Sequence, residues 1–114
     1  MEYKVNILRV LDGDTVDVLF NFPFGIQVKK RVRLFGINAP ETRTRNPEEK
    51  RKGFLAKNRL MQLLEEGQNK CTLVYHGDGK FGRPLGELFV NGVNINLVLV
   101  YGVYSVPYPP PHLY

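Results

Sequence analysis

The apolar residues of the first third of the chain recur at every second position: Val5 and Ile7, then Val16, Val18 and Phe20. Alternation of that period marks half-buried strands, whose successive side chains point to opposite faces. Asp12-Gly13-Asp14 interrupts the alternation, and an Asp-Gly pair between two such runs predicts a hairpin. Phe22-Pro23-Phe24-Gly25 reads as a second turn, and Gln27 to Ile37 as a third strand. In that strand Val28, Val32 and Leu34 share one parity, while Arg31, Arg33 and Phe35 share the other. Arg33 is therefore expected on the face opposite its apolar neighbours.

Ala39-Pro40 closes this strand, and the polar segment Glu41-Thr42-Arg43-Thr44-Arg45 leads to a well-marked helix start. Asn46 suits the N-cap, Pro47 the first helical position, and Glu49 stands three residues after the cap as in a capping box. Ala56, Leu60, Leu63 and Leu64 then fall at helical spacing, and Gly67 is placed to supply a left-handed C-terminal residue, which predicts a helix over 47–66. Cys71 to Tyr75 reads as a strand, Gly77 to Arg83 as a glycine-rich loop, and Leu85 to Val90 as a further strand turning at Asn91-Gly92. The segment Asn94 to Gly102 has two readings. Leu97-Val98-Leu99-Val100 favours strand, whereas Gly102 stands where a short second helix would stop. Val106 to Pro111 is expected as extended, polyproline-like chain. Five short strands, a helix after the third and a second short helix on one reading predict a mainly β chain with some α. The matching architecture is a five-stranded Greek-key barrel of the OB type. Residues 1–106 would form that domain, and 107–114 a tail rich in proline and tyrosine.

Composition narrows the picture modestly. A chain of 114 residues with 43% hydrophobic and 24% charged positions is expected to form one globular domain. The apolar run Leu97 to Tyr101 falls far short of the ~20 residues that a membrane span requires, so no membrane partner is expected. Met1-Glu2-Tyr3-Lys4 runs straight into strand-like sequence rather than an apolar leader, which sets a cytoplasmic expectation. The single cysteine, Cys71, is read as packing. A monomer is the default. Sixteen Lys and Arg against eleven Asp and Glu give a net charge of +5, which favours a polyanionic partner, nucleic acid above all.

Three clusters carry candidate chemistry: Asp12-Gly13-Asp14-Thr15, then Arg33 with Asn38-Ala39-Pro40-Glu41, then Lys80-Phe81-Gly82-Arg83. Each alone reads as ordinary turn or surface sequence. Together they meet the needs of phosphodiester cleavage. Arginine forks neutralise phosphate oxygens at any working pH. A carboxylate orients or deprotonates the attacking water, and a hard divalent cation on oxygen ligands supplies further positive charge. Asp14, Asn38, Glu41, Arg33 and Arg83 make up that inventory from three separate places in the chain.

With their order and spacing, including eight residues from Arg33 to Glu41, the three clusters resemble the staphylococcal nuclease (thermonuclease) family over about residues 4–108. The resemblance implies an OB-type barrel and a calcium-dependent nuclease acting on single-stranded DNA, RNA or both. It implies Asp14, Asn38 and the Ala39 carbonyl as metal ligands, and Glu41 as general base or water-orienting group. Arg33 and Arg83 would grip the scissile phosphate and stabilise its transition state, with Lys80, Phe81 and Tyr108 contacting substrate.

Two departures matter. Asn38 stands where the family pattern has a carboxylate, which predicts weaker cation binding because affinity depends on ligand charge. Phe81 lacks the hydroxyl of the family's tyrosine. Pro109-Pro110-Pro111 are unsuited to starting a further helix, so a minimal barrel is expected. An alternative follows from Asn38: a catalytically weak or inactive OB-type module that binds single strands or a protein partner without cutting.

Overall fold

The computed structural model describes residues 1–108. Its elements are β1 (Glu2–Asp12), β2 (Thr15–Asn21), β3 (Gln27–Leu34), β4 (Ile37–Asn38), α1 (Pro47–Glu65), β5 (Lys70–Asp78), β6 (Pro84–Val90), β7 (Val93–Asn94), α2 (Ile95–Tyr101) and β8 (Val106–Pro107). The main sheet runs β3-β2-β1-β5-β6-β7, with antiparallel neighbours throughout. A parallel pairing of Arg33 with Leu85 and of Leu34 with Gly86 joins β3 to β6 and closes five strands into a barrel. The expected OB-type barrel is therefore present, and Val16, Val18, Val32, Leu34, Leu73 and Leu88 fill it with essentially no exposed surface.

The turn chemistry explains most of the connections. Asp12 pairs with Thr15 across the two-residue turn Gly13-Asp14. Asn91 and Gly92 both have positive φ, the conformation a tight two-residue hairpin turn requires. The third strand is shorter than its apolar pattern suggests: β3 ends at Leu34, and Gly36 at φ 78 turns the chain before β4. Beyond the parallel closure, residues Gln27 to Arg31 pair with β2 on one side only and are all exposed, so the β2–β3 hairpin projects from the barrel. Its stem is braced by edge contacts of Tyr3 with Phe20 and Phe22, and by the Gln27–Asn21–Asn6 side-chain relay.

Helix α1 starts where the sequence indicates. The Asn46 side chain accepts hydrogen bonds from the Glu48 and Glu49 N–H groups at 3.0 and 3.1 Å. The reciprocal half of the capping box does not form, because Glu49 accepts from the Thr44 hydroxyl while the Asn46 N–H donates to that same hydroxyl. Gly53, Ala56, Leu60, Leu63 and Leu64 form the buried stripe. At the far end Gln68 and Asn69, not Gly67, take the left-handed conformation. Gly67 is required for closeness instead: a Cβ there would lie 2.7 Å from Val90. The ambiguous segment is helical, with the Asn94 side chain capping the Leu97 N–H and Ile95, Asn96 and Leu99 turned inward. Tertiary packing on β6 and α1 overrides the strand preference of its β-branched residues. Val106–Pro107 is also a short strand rather than free extended chain, pairing with Ile37–Asn38. The expectation for Pro109 to Pro111 lies outside the described residues.

Candidate active site

The site is assembled where the β1–β2 turn, the end of β3 and the loop before α1 meet. The Gly13-Asp14 turn approaches α1 and the loop so closely that a Cβ on Gly13 would sit 2.6 Å from the Ala56 Cβ and 3.0 Å from the Ala39 Cβ. Gly13 is thus selected for contact distance. Asp14 beside it is buried, and all its bonds are internal: Oδ1 accepts from the Thr15 hydroxyl at 2.9 Å, and Oδ2 from the Ala39 N–H at 2.8 Å. Its backbone carbonyl accepts from the Leu34 N–H at 2.8 Å, which ties the turn to the end of β3.

Arg33 leaves β3 on the face opposite Val32 and Leu34, as its parity predicts. Its Nη1 lies 2.6 Å from Asp14 Oδ2, and its Nη2 donates to Asn38 Oδ1 at 3.0 Å. Two oxygens from different segments therefore converge on one positive group. A guanidinium carries five N–H donors, so these contacts fix the fork in orientation and leave donors for another acceptor.

Arg33, Phe35, Asn38, Lys80, Arg83 and Tyr108 line a cleft of about 480 Å³, a size suited to a small ligand group. The Lys80–Gly82 turn forms one lip, with Phe81 in the left-handed conformation at φ 60 and 91% exposed. Arg83 packs over the Phe81 ring at 5.8 Å and has no carboxylate partner among the described residues. Tyr108 is held at the opposite lip by its N–H, which donates to the Gly36 carbonyl at 2.9 Å. Phe35 is backed by His76, stacked on it at 3.9 Å, and His76 in turn pairs with Glu87.

Glu41 is exposed and opens onto an adjoining cleft with Arg51 and Lys52; Asn38 belongs to both. Arg33, Asn38, Lys80, Phe81, Arg83 and Tyr108 thus line one cleft, Asp14 reaches it through its contact with Arg33, and Ala39 and Glu41 line the adjoining one. Sequence reasoning missed the residues that hold this arrangement. Asp12 accepts from the Thr42 hydroxyl at 2.6 Å and from its N–H at 3.3 Å, pinning the loop just after Glu41. Gly53 lets α1 touch the loop: a Cβ there would lie 2.5 Å from the Glu41 carbonyl oxygen. A glycine inside an otherwise strong helical pattern was the available signal. Asn96, buried, donates to the Phe35 and Gly86 carbonyls and accepts from the Leu88 N–H, locking the β3 end to β6.

With this geometry in view, the profile of the family described as staphylococcal nuclease homologue matches residues 31–107. The chain belongs to the staphylococcal nuclease family. It is 30% identical over 113 residues to the protein pXO1-141 of Bacillus anthracis, named as uncharacterized, covering 94% of this chain and 50% of that protein. It is also 30% identical over 95 residues to an uncharacterized endonuclease of Escherichia coli O157:H7, covering 82% of this chain and 54% of the relative. A further uncharacterized endonuclease, of Escherichia coli, matches at the same identity and coverage. The chain spans about half the length of these curated relatives.

Proposed function

We propose that this staphylococcal nuclease family member hydrolyses phosphodiester bonds of single-stranded DNA or RNA with little regard to sequence, and does so with a bound calcium ion. The observation that carries the reading is the meeting of Arg33, Lys80 and Arg83 on one cleft between the aromatic lips Phe81 and Tyr108, with Glu41 next to it. The relatives named as endonucleases support the same class of activity.

The donor chemistry suits a hard divalent cation. Asp14 Oδ2 and Asn38 Oδ1 already converge on a positive group in the Arg33 guanidinium, and the Ala39 carbonyl would add the third oxygen that the family resemblance implies. No group of three His, Cys, Asp or Glu side chains placed to hold a metal ion occurs among the described residues, so the seat would rest on one carboxylate, an amide and a carbonyl. When bound, calcium would supply positive charge against the phosphate. The protein groups do the remaining work. Glu41 orients a water molecule and takes its proton as the water oxygen bonds to phosphorus. Arg33 and Arg83 donate to the phosphate oxygens as their charge grows, and Arg83 also steadies the leaving sugar oxygen, which departs with the electron pair and takes a proton from solvent. Phe81 and Tyr108 hold the neighbouring bases, and Lys80 an adjacent phosphate.

The test is cleavage of labelled single-stranded DNA and RNA across a titration from chelator to millimolar calcium. Cleavage should require calcium, and Glu41→Gln or Arg83→Ala should lower kcat by about 10²–10³. Undiminished cleavage by Glu41→Gln would refute its role. The second reading, a module that binds strands without cutting, draws on the amide at Asn38. Strand binding without cleavage under any condition would establish it.

A further inference from the structure

Beyond Arg33, the outward face of the projecting β2–β3 hairpin carries charge that neither the barrel nor the cleft uses. Val16, Val18 and Phe20 face the core, so in the β2–β3 register Arg33, Arg31 and Lys29 lie together on the opposite face. Arg9 joins them from β1, where it pairs in register with Asp17. Asp17 is the carboxylate at the centre of this group. The hydrogen bonds it accepts from Arg31, at 2.9 and 3.3 Å, are the main cause holding its carboxyl below the ordinary range, with Lys29 and Arg9 adding to the effect. Three cations surround one carboxylate, so the patch stays positive. It is continuous with Arg33, and alternate residues on a strand recur at about 6.6 Å. The row Arg33, Arg31, Lys29 therefore extends about 13 Å away from the cleft.

The hairpin ends in Phe24, which is 98% exposed and has φ 67. Nothing in folding recommends a phenylalanine there: it buries no surface, and the left-handed conformation costs a non-glycine residue about 1 kcal/mol or more. The same device stands at the cleft. Phe24-Gly25 and Phe81-Gly82 both have two successive positive φ values, and each Phe is nearly fully exposed. In each turn the residue after the glycine donates its N–H to the residue before the phenylalanine, Ile26 to Pro23 and Arg83 to Lys80. A positive track combined with an exposed aromatic platform is the combination that holds unpaired nucleic acid.

We propose that the outer face of this hairpin, through Arg9, Arg31, Lys29 and the tip residue Phe24, binds the single-stranded nucleic acid that extends from the cleft. The proposal rests on the reading of the cleft as a nucleic-acid site. The cations take successive backbone phosphates, and Phe24 stacks on a base about 20 Å or more along the strand from Arg33. Substrate length then becomes a source of affinity without any sequence readout.

The experiment measures fluorescence anisotropy of a fluorescein-labelled sixteen-nucleotide oligothymidylate and of a trinucleotide, on the Glu41→Gln background, with strand integrity checked by gel. The longer strand should bind more tightly than the trinucleotide. Arg9→Ser with Lys29→Ser should weaken only the longer strand, by about tenfold at low salt, and flatten its log–log salt slope by about 1.4. Phe24→Asn places a residue that tolerates the left-handed turn, so the protein should melt no lower while the long strand loses at least fivefold in affinity. Equal affinity for both lengths, or an unchanged salt slope in the double variant, overturns the proposal. If the parent protein cleaves yet shows no length advantage, the track fails and the nuclease reading stands. If the length advantage holds and the parent cleaves nothing, the nuclease reading fails and the track stands.

Discussion

Gly53→Ala tests how the loop that carries Glu41 is positioned. The substitution adds one methyl group, and that methyl would sit 2.5 Å from the Glu41 carbonyl oxygen, 2.7 Å from its carbonyl carbon and 3.0 Å from the Pro40 oxygen. Ordinary contact begins at 3.4 Å, so the loop backbone has to retreat by roughly 0.9 Å, the helix side being fixed by the burial of Ala56 and Leu60. Alanine gains about 1 kcal/mol of helix propensity over glycine, while forcing a methyl into a filled contact costs about 1–3 kcal/mol. The net loss is about 1 kcal/mol, or a fall of about 5 °C in Tm. Activity should suffer far more. A displacement near 1 Å of a catalytic group costs about 10²-fold in rate, and the loss should appear in kcat with KM little changed, because the role proposed for Glu41 is on the water rather than in substrate binding. Single-turnover and steady-state cleavage of a labelled strand, with thermal melting alongside, separate the two effects. Adding Gly53→Ala to Glu41→Gln should cost little further activity, since both act through one carboxylate. Parent-like kcat in Gly53→Ala, or full additivity with Glu41→Gln, would show that the contact does not position Glu41.

Asn96→Ala takes the carboxamide from the Leu88 N–H and the Phe35 carbonyl, while the Gly86 carbonyl keeps the Phe35 N–H, and urea unfolding should show a loss of about 3 kcal/mol with the m-value unchanged. Burial pushes the Cys71 thiol up to about 12 from an ordinary 9.0, so iodoacetamide at pH 8 should label it only on unfolding. The sign also fixes a stability trend. The unfolded thiol ionises from 9.0 upward while the folded one does not until about 12, so Cys71 opposes folding progressively across that window, and Cys71→Ala should lessen the alkaline decline in Tm. Asp17 has the opposite sense: its lowered folded-state value gives stability that is present above 3.8 and lost as pH falls through the lowered value, so Asp17→Asn should flatten the acid limb of the Tm profile. Asn38→Asp adds a carboxylate at the proposed cation seat, and calorimetry should report calcium binding at least tenfold tighter than in the parent.

What the sequence made legible was whatever depends on neighbours along the chain. The period-two alternation from Val5 to Phe20, the Asp-Gly turn and the Asn46-Pro47 helix start all appear where local chemistry puts them. The parity of Arg33 against Val32 and Leu34 carried a side-chain direction correctly into three dimensions. The second helix was open because its strand preference and its glycine stop conflict locally, and packing on β6 decided it. Gly67 was read for its backbone freedom when its use is proximity to Val90. Asp12–Thr42, Gly53 against Glu41, and Asn96 between β3 and β6 were invisible for one reason: each joins segments that are distant in sequence, and no local pattern encodes such a pairing.

That division separates chemistry from precision in this site. The proposed reactive inventory lies in three short clusters, and a short cluster can be read residue by residue. The distances among the clusters are set by residues with no reactive groups or with polar groups spent on backbone. Gly13 and Ala56 fix the Asp14 turn against the helix, Gly53 fixes the Glu41 loop against the same helix, and Asn96 fixes the end of β3 against β6. Helix α1 is thus the common reference for the carboxylates, and β6 for the arginines, since Arg33 pairs with Leu85 and Arg83 immediately precedes the first residue of β6. A substitution that shifts α1 relative to β6 would move the Glu41 loop away from the guanidinium half, while Asp14 stays tied to Arg33 and to the Leu34 N–H. Loss of activity in such a variant should therefore not be rescued by restoring any single charged residue, whereas tightening the α1 contact would recover it.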